Sequence, residues 1–159
     1  MVHITKKDLD KDNYYKDSGI NTTEEITCDE NLGYIKFKKS VITTKSIILG
    51  LDCGIKAGDG IESGYGIKAG DGIEAGLSII CKGVLKFSYQ LFAGTCTWRK
   101  ITEEDLIVEC GKLETDGKIV LGTLKETGII PEEVEKIKII DGKKYRLVED
   151  DNNVEGVTE

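Results

Sequence analysis

Histidine, proline, methionine and tryptophan each occur once in 159 residues, and phenylalanine three times. These shortages exclude whole classes of chemistry. A single histidine, His3, removes Ser-His-Asp and Cys-His catalysis, most histidine acid–base schemes and any Cys/His zinc set. His3 itself reads as a surface residue at a frayed terminus. The five cysteines, Cys28, Cys53, Cys81, Cys96 and Cys110, are odd in number and form no CxxC. They read as free thiols of a reducing compartment. Cys81 reads as a small core residue, and Cys96 and Cys110 have no local base to make them nucleophiles. No metal and no cofactor are expected. No apolar run is long enough to span a bilayer, so no membrane partner is expected. The opening MVHITKKDLDKDNYYKD has no apolar stretch of signal-peptide type, and a cytoplasmic location is expected.

The formal net charge is −7, and the segment EDDNNVEGVTE at residues 149–159 holds much of it. That segment reads as a solvated, disordered acidic tail. No basic cluster of the kind nucleic acids require stands out, so direct nucleic-acid binding is not expected. Glu103, Glu104 and Asp105 are consecutive and so do not face one another on a helix; they read as a solvated face rather than a glycosidase pair.

Glycine, by contrast, is abundant, with 19 copies. Residues 54–77 read GIKAGDGIESGYGIKAGDGIEAGL, a dozen residues written twice with two changes. The underlying period is six: Ile55, Ile61, Ile67, Ile73 and Ile79. Two residues after each stands a small one: Ala57, Ser63, Ala69, Ala75 and Cys81. Side chains two apart share one face of a strand, so these point inward and Lys56, Glu62, Lys68 and Glu74 point to solvent. The intervening Gly-Asp-Gly and Gly-Tyr-Gly suit sharp corners. Leu85/Phe87 and Leu91/Ala93 continue the register, and Leu49/Leu51 precede it.

Short strands joined by corners at a fixed period describe a solenoid. With two hexads per coil, Lys56 would oppose Lys68 and Glu62 would oppose Glu74, each at a cost of up to ~1 kcal/mol. Three hexads per coil set Lys56 beside Glu74, Leu49 against Ile67 and Ile73 against Leu91. The expected fold is therefore all-β: a short, triangular, single-stranded parallel β-helix of ~18 residues per coil and fewer than three turns. Asp59 and Asp71 lie twelve apart, which does not fit a nonapeptide calcium repeat. GDGIESG lacks the strand-then-helix setting of a phosphate loop.

The expected organisation is a polar arm and cap over 1–47, the solenoid over 48–95, a hairpin-rich module over 96–148 and the tail over 149–159. The first thirty residues read as irregular, with a helical turn within 6–16. Residues 33–48 read as one or two strands that cap or pair with the first coil. Thr102 and Asp105 could cap a helical turn. Thr115-Asp116-Gly117 predicts one hairpin turn, and Asp141-Gly142 a second. Pro131 opens a short helix, PEEVEK. The C-terminal module is expected to cover the open end of the column.

Ile80 and Phe92 take outward strand positions, and Tyr65, Leu77 and Tyr89 take corners. Trp98 and Arg99 follow the last hexad. Exposed apolar groups need cover. Either a flank packs over this set, or it forms a protein-docking patch anchored by aromatics.

The hexads resemble those of left-handed β-helices in hexapeptide-repeat acyltransferases, and this resemblance implies a left-handed coil. That family places its small residue fifth in the tile and uses a histidine at the coils, which residues 4–159 lack; a transferase remains a remote alternative. GIKAGDGIEAG followed by FAGTCTWRK also resembles small phage and prophage proteins, over roughly residues 48–120. This resemblance implies a setting: small phage proteins without catalytic residues bind host proteins or ribonucleoproteins, including as inhibitors of CRISPR effectors. The expected function is thus non-enzymatic binding and inhibition of a host macromolecule. A structural, self-associating solenoid, which would be a homo-oligomer, is the alternative.

Overall fold

The computed structural model describes residues 1–131 and the backbone of residues 137–140 and 143–146. In chain order the strands are β1 (Val2–Ile4), β2 (Ile20–Thr22), β3 (Ile26–Cys28), β4 (Gly33–Phe37), β5 (Val41–Thr43), β6 (Ile47–Leu51), β7 (Cys53–Ala57), β8 (Ile61–Ser63) and β9 (Ile67–Gly70). They continue as β10 (Ile73–Ala75), β11 (Ile79–Cys81), β12 (Val84–Lys86), β13 (Gln90–Ala93), β14 (Ile107–Cys110), β15 (Lys112–Leu113), β16 (Lys118–Leu121) and β17 (Thr123–Glu126). Two 3-10 turns, Lys6–Asp8 and Glu103–Leu106, interrupt them.

These strands build three walls. Wall one stacks β1-β3-β6-β9-β12-β15, wall two stacks β4-β7-β10-β13-β16, and wall three stacks β2-β5-β8-β11-β14-β17. Every pairing within a wall is parallel. The chain is a β-solenoid of about 6 turns with coils of ~20 residues. The column is longer than the fewer than three turns expected, because coils form on both sides of the glycine repeat. β1–β5 precede it, so the first thirty residues hold strands as well as the 3-10 turn Lys6–Asp8.

The core confirms the hexad logic. Ile55, Ile61, Ile67, Ile73 and Ile79 are all buried, as are Ala57, Ser63, Ala69, Ala75 and Cys81. Two-residue spacing aims both members of each pair at the axis. The small second member sits where two walls converge on a corner. In wall three this position forms a ladder, Thr22–Thr43–Ser63–Cys81, each in register with the next. Its polar atoms bond the corner backbone: Ser63 Oγ donates to Lys45 O at 2.7 Å, and Thr43 Oγ1 accepts from Lys45 N at 3.0 Å. Among the described residues every buried side-chain nitrogen and oxygen has a partner, as an apolar column requires.

The charge argument for three hexads per coil is also met. Glu74 lies opposite Lys56, and Lys56 Nζ stands 3.4 Å from Glu74 Oε2. Ile73 lies against Leu91. One expected pairing is corrected: Ile47, not Leu49, lies against Ile67. The coil below the repeat is twenty residues long rather than eighteen, and its extra length is absorbed by Asp52, at φ 56, and by an irregularity between Ile48 and Leu51. Ile47 and Leu49 therefore face in, and Leu51 is exposed.

One reading of the flanks also changes. Thr115-Asp116-Gly117 is a solenoid corner, not a hairpin turn: β15 pairs with β12 and β16 with β13. Gly117 N donates to Thr115 Oγ1 at 2.8 Å, and that hydroxyl donates to Phe87 O one coil below. β18 (Ile137–Ile140) and β19 (Lys143–Arg146) do form an antiparallel hairpin. Its turn, Asp141-Gly142, the helix expected after Pro131 and the acidic tail lie outside the described residues.

The two ends differ. Leu9 and Tyr15 pack against the core at the first coils, with the Tyr15 ring 5.2 Å from that of Phe37. The last coil presents Val120, Leu121 and Leu124 to solvent.

Candidate functional site

The corner between walls two and three is short in the coil below: Ala75 ends β10 and Ile79 begins β11. One coil higher the chain leaves β13 at Ala93 and re-enters at Ile107, so residues 94–106 bulge out of that corner. Gly94 begins the excursion at φ +87, a left-handed angle that a side chain resists. Its N–H and those of Thr95 and Cys96 still donate to Ala75, Leu77 and Gly76 carbonyls, which pins the loop to the corner beneath.

Asp105 organises the rest. The sequence reading of a cap by Thr102 holds: Thr102 N and Oγ1 donate to Asp105 Oδ2 at 2.8 and 3.0 Å, closing the 3-10 turn Glu103–Leu106. The reading of Asp105 as a solvated carboxylate does not hold, since only 8% of it is exposed. Arg99 approaches it with two parallel bonds of 2.8 Å, Nη1 to Oδ2 and Nη2 to Oδ1. Such a fork fixes both partners in one geometry. Trp98 precedes the clamped arginine, its ring 5.4 Å from the guanidinium carbon, and remains 62% exposed. The loop thus holds a large aromatic and an arginine out in water on a fixed base.

The Arg99 guanidinium and the Thr102 N–H hold the Asp105 carboxyl down at about 2, against an ordinary 3.8. A depressed carboxyl stabilises the folded loop fully above 3.8, and this contribution is lost as pH falls through about 2. Trp98 is the single tryptophan, so its fluorescence reports this loop alone. Emission is expected to hold steady down to 3.8 and to shift in acid with a midpoint near 2. Asp105→Asn is expected to show the acid-type emission already at neutral pH.

The seven residues singled out from sequence do not form one patch. Leu77 lies half-buried at the corner beneath the Trp98–Arg99 loop, and Ile80 faces out on the adjoining wall three between Glu62 and Glu109. Tyr89 is at the corner of walls one and two, 57% exposed, and Phe92 faces out on wall two above Glu74. Tyr65 is half-buried at the third corner, between walls three and one.

The chemistry-bearing residues are arranged as follows. His3 is on β1 rather than on a frayed end: Nε2 is 2.7 Å from Asp29 Oδ1, and Nδ1 is 2.7 Å from Thr27 Oγ1. This row lies on the open outer side of wall one, with both His3 and Asp29 about half-exposed. Burial raises the thiols of Cys28 and Cys81 to about 12 and that of Cys110 to about 11, which keeps them protonated. No group of three histidine, cysteine or carboxylate side chains suited to a metal occurs among the described residues. No helix among them is long and apolar enough to cross a membrane.

Sequence reasoning missed Asp105 as the arginine's partner, because a six-residue separation across a loop leaves no periodic signal. Compared with protein families, with curated proteins and with solved structures, the chain finds no match.

Proposed function

We propose that this chain is a non-enzymatic binding protein that occupies and inhibits a macromolecule, with the Trp98 loop as its principal anchor. The observation that carries the reading is a 62% exposed tryptophan on a loop whose arginine is clamped by a buried carboxylate. Tryptophan and arginine lead the residues that dominate binding energy, and a pre-ordered loop loses little freedom on docking. The hydrogen-bonded column beneath supplies the rigid base. The phage-like repeat text supports a host protein or ribonucleoprotein as the target, in the manner of an anti-defence inhibitor acting in the cytoplasm.

The experiment is affinity capture from a host lysate, followed by titration of the captured partner. Trp98→Ala is expected to weaken that complex by about 2 kcal/mol or more, roughly thirtyfold, with an unchanged melting curve. Equal affinity for the variant would remove the loop from the interface.

The second reading is self-association, favoured by a different observation. At the last coil β15, β16 and β17 are the outer strands of their walls among the described residues, and β16 and β17 carry the exposed Val120, Leu121 and Leu124. Unpaired strand edges with apolar neighbours invite stacking.

A further inference from the structure

The corner between walls three and one shortens as the column rises. Three residues turn it between β8 and β9, namely Gly64-Tyr65-Gly66. Two turn it one coil higher, Lys82-Gly83, and a single residue, Gly111, turns it above that. Tyr65 therefore projects as a shelf below a receding corner. The chain itself returns along this recess after β17. Gly128 N donates to Gly111 O at 2.8 Å, the Ile129 carbonyl occupies the space a Gly111 side chain would need, and Ile130 and Pro131 reach the shelf. The recess thus already accepts an extended segment.

On the wall-one side, beside Tyr65, the described residues leave open a groove of about 200 Å³. Ile48, Val84, Ile130 and Pro131 give it apolar walls, and Lys68 and Lys86 flank it. These two lysines are directly opposed in register on β9 and β12. Like charges in opposed positions repel; on wall two Lys56 likewise lies opposite Lys36, but there Glu74 on its other side pairs with it. Lys82 borders the wall-three side of the shelf together with Glu62, and Lys45 lies below it. Among the described residues none of Lys45, Lys68, Lys82 and Lys86 makes an ion pair.

We infer that this groove is a docking site for an acidic, extended polypeptide segment of a partner. An apolar side chain of that segment enters beside Tyr65, and its carboxylates are received by Lys68 and Lys86. The charge complementarity is local: the groove is cationic on a protein whose net charge is −7. Its apolar walls and its single aromatic suit a peptide better than a nucleic-acid strand, which needs a stacking series. The groove is at a different corner from Trp98, so either surface can fail without the other.

The test is fluorescence anisotropy of the full chain with a labelled decapeptide carrying four glutamates around a central Val-Pro. Its glutamine counterpart and a labelled single-stranded oligonucleotide serve as the other two probes. Saturable binding of the acidic peptide that weakens with salt is expected, with a loss of about tenfold or more for the glutamine peptide. Lys68→Gln with Lys86→Gln is expected to cause a similar loss, and both positions are exposed, so the fold is retained. Lys118→Gln, on wall two, is expected to leave binding unchanged. No saturable binding, equal binding by the double variant, or tighter binding of the oligonucleotide would each overturn the assignment.

Discussion

Truncating Ile73 to alanine is expected to cost about 4 kcal/mol of folding stability, towards the upper end of the range for buried isoleucine. Ile73 is 0% exposed and stacked in register between Ile55 and Leu91, both themselves buried. The variant loses the transfer energy of the deleted methyl and methylene groups and leaves a cavity. How much that cavity costs depends on whether the surroundings can collapse into it. Here they are held on both sides: β10 is hydrogen-bonded to β7 below and β13 above, and the opposite walls are fixed in the same way. A wall cannot move inward without breaking ladder bonds to two neighbours. Domains of this size are stable by only about 5–15 kcal/mol, so the loss should be plain in a urea titration. A cost below about 1 kcal/mol would mean that this residue does not lie in a packed column.

Gly76→Ala is expected to destabilise by about 3 kcal/mol, although alanine is normally the easier residue to order. The reason is distance rather than backbone angle. A Cβ built on Gly76 would lie 2.0 Å from the Gly58 carbonyl oxygen and 2.8 Å from its carbon, both backbone atoms of the coil beneath. Gly64 meets the same obstacle in the Thr44 carbonyl, also at 2.0 Å. At these corners the coil below comes up directly under the turning chain, and the glycine permits the close approach. Gly60 is the matched control, because its added Cβ would find nothing nearer than the Ser78 oxygen at 3.3 Å. Gly60→Ala should be near neutral, while Gly76→Ala should lower the melting temperature by about 6–12 °C. Equal effects at the two sites would show that corner glycines serve only chain flexibility.

How far the column could be read from sequence depended on what fills the corners. Where the corners are Gly-Asp-Gly the period of six is visible, and with it the inward pairs, the burial of Cys81 and the Lys56–Glu74 contact. Below the repeat the same period persists in Ile35, Val41 and Ile47. Its corners there are Lys38-Lys39-Ser40 and Thr44-Lys45-Ser46, which carry no glycine signal, and so those coils read as a flank. Above the repeat, residues 94–106 break the count before Val108. Thr115-Asp116-Gly117 then misled for a physical reason: turn chemistry reports that the chain reverses locally, not which strand it meets afterwards. The opposition of Lys68 to Lys86 was legible, since they are one eighteen-residue coil apart. Arg99 and Asp105 meet only because the loop folds back on itself.

The duplicated dozen has a geometric consequence of its own. Twelve residues fill two walls of a three-walled coil, so each copy is turned relative to the last: Lys56 is on wall two, while its counterpart Lys68 is on wall one. Identical text never lies upon itself. Inserting one more dozen would swing the tryptophan two walls around the axis, to a new compass bearing, whereas inserting eighteen residues would raise it one storey, about 4.8 Å, with its heading kept. Copy number in this segment is therefore a dial for the direction in which the molecule points.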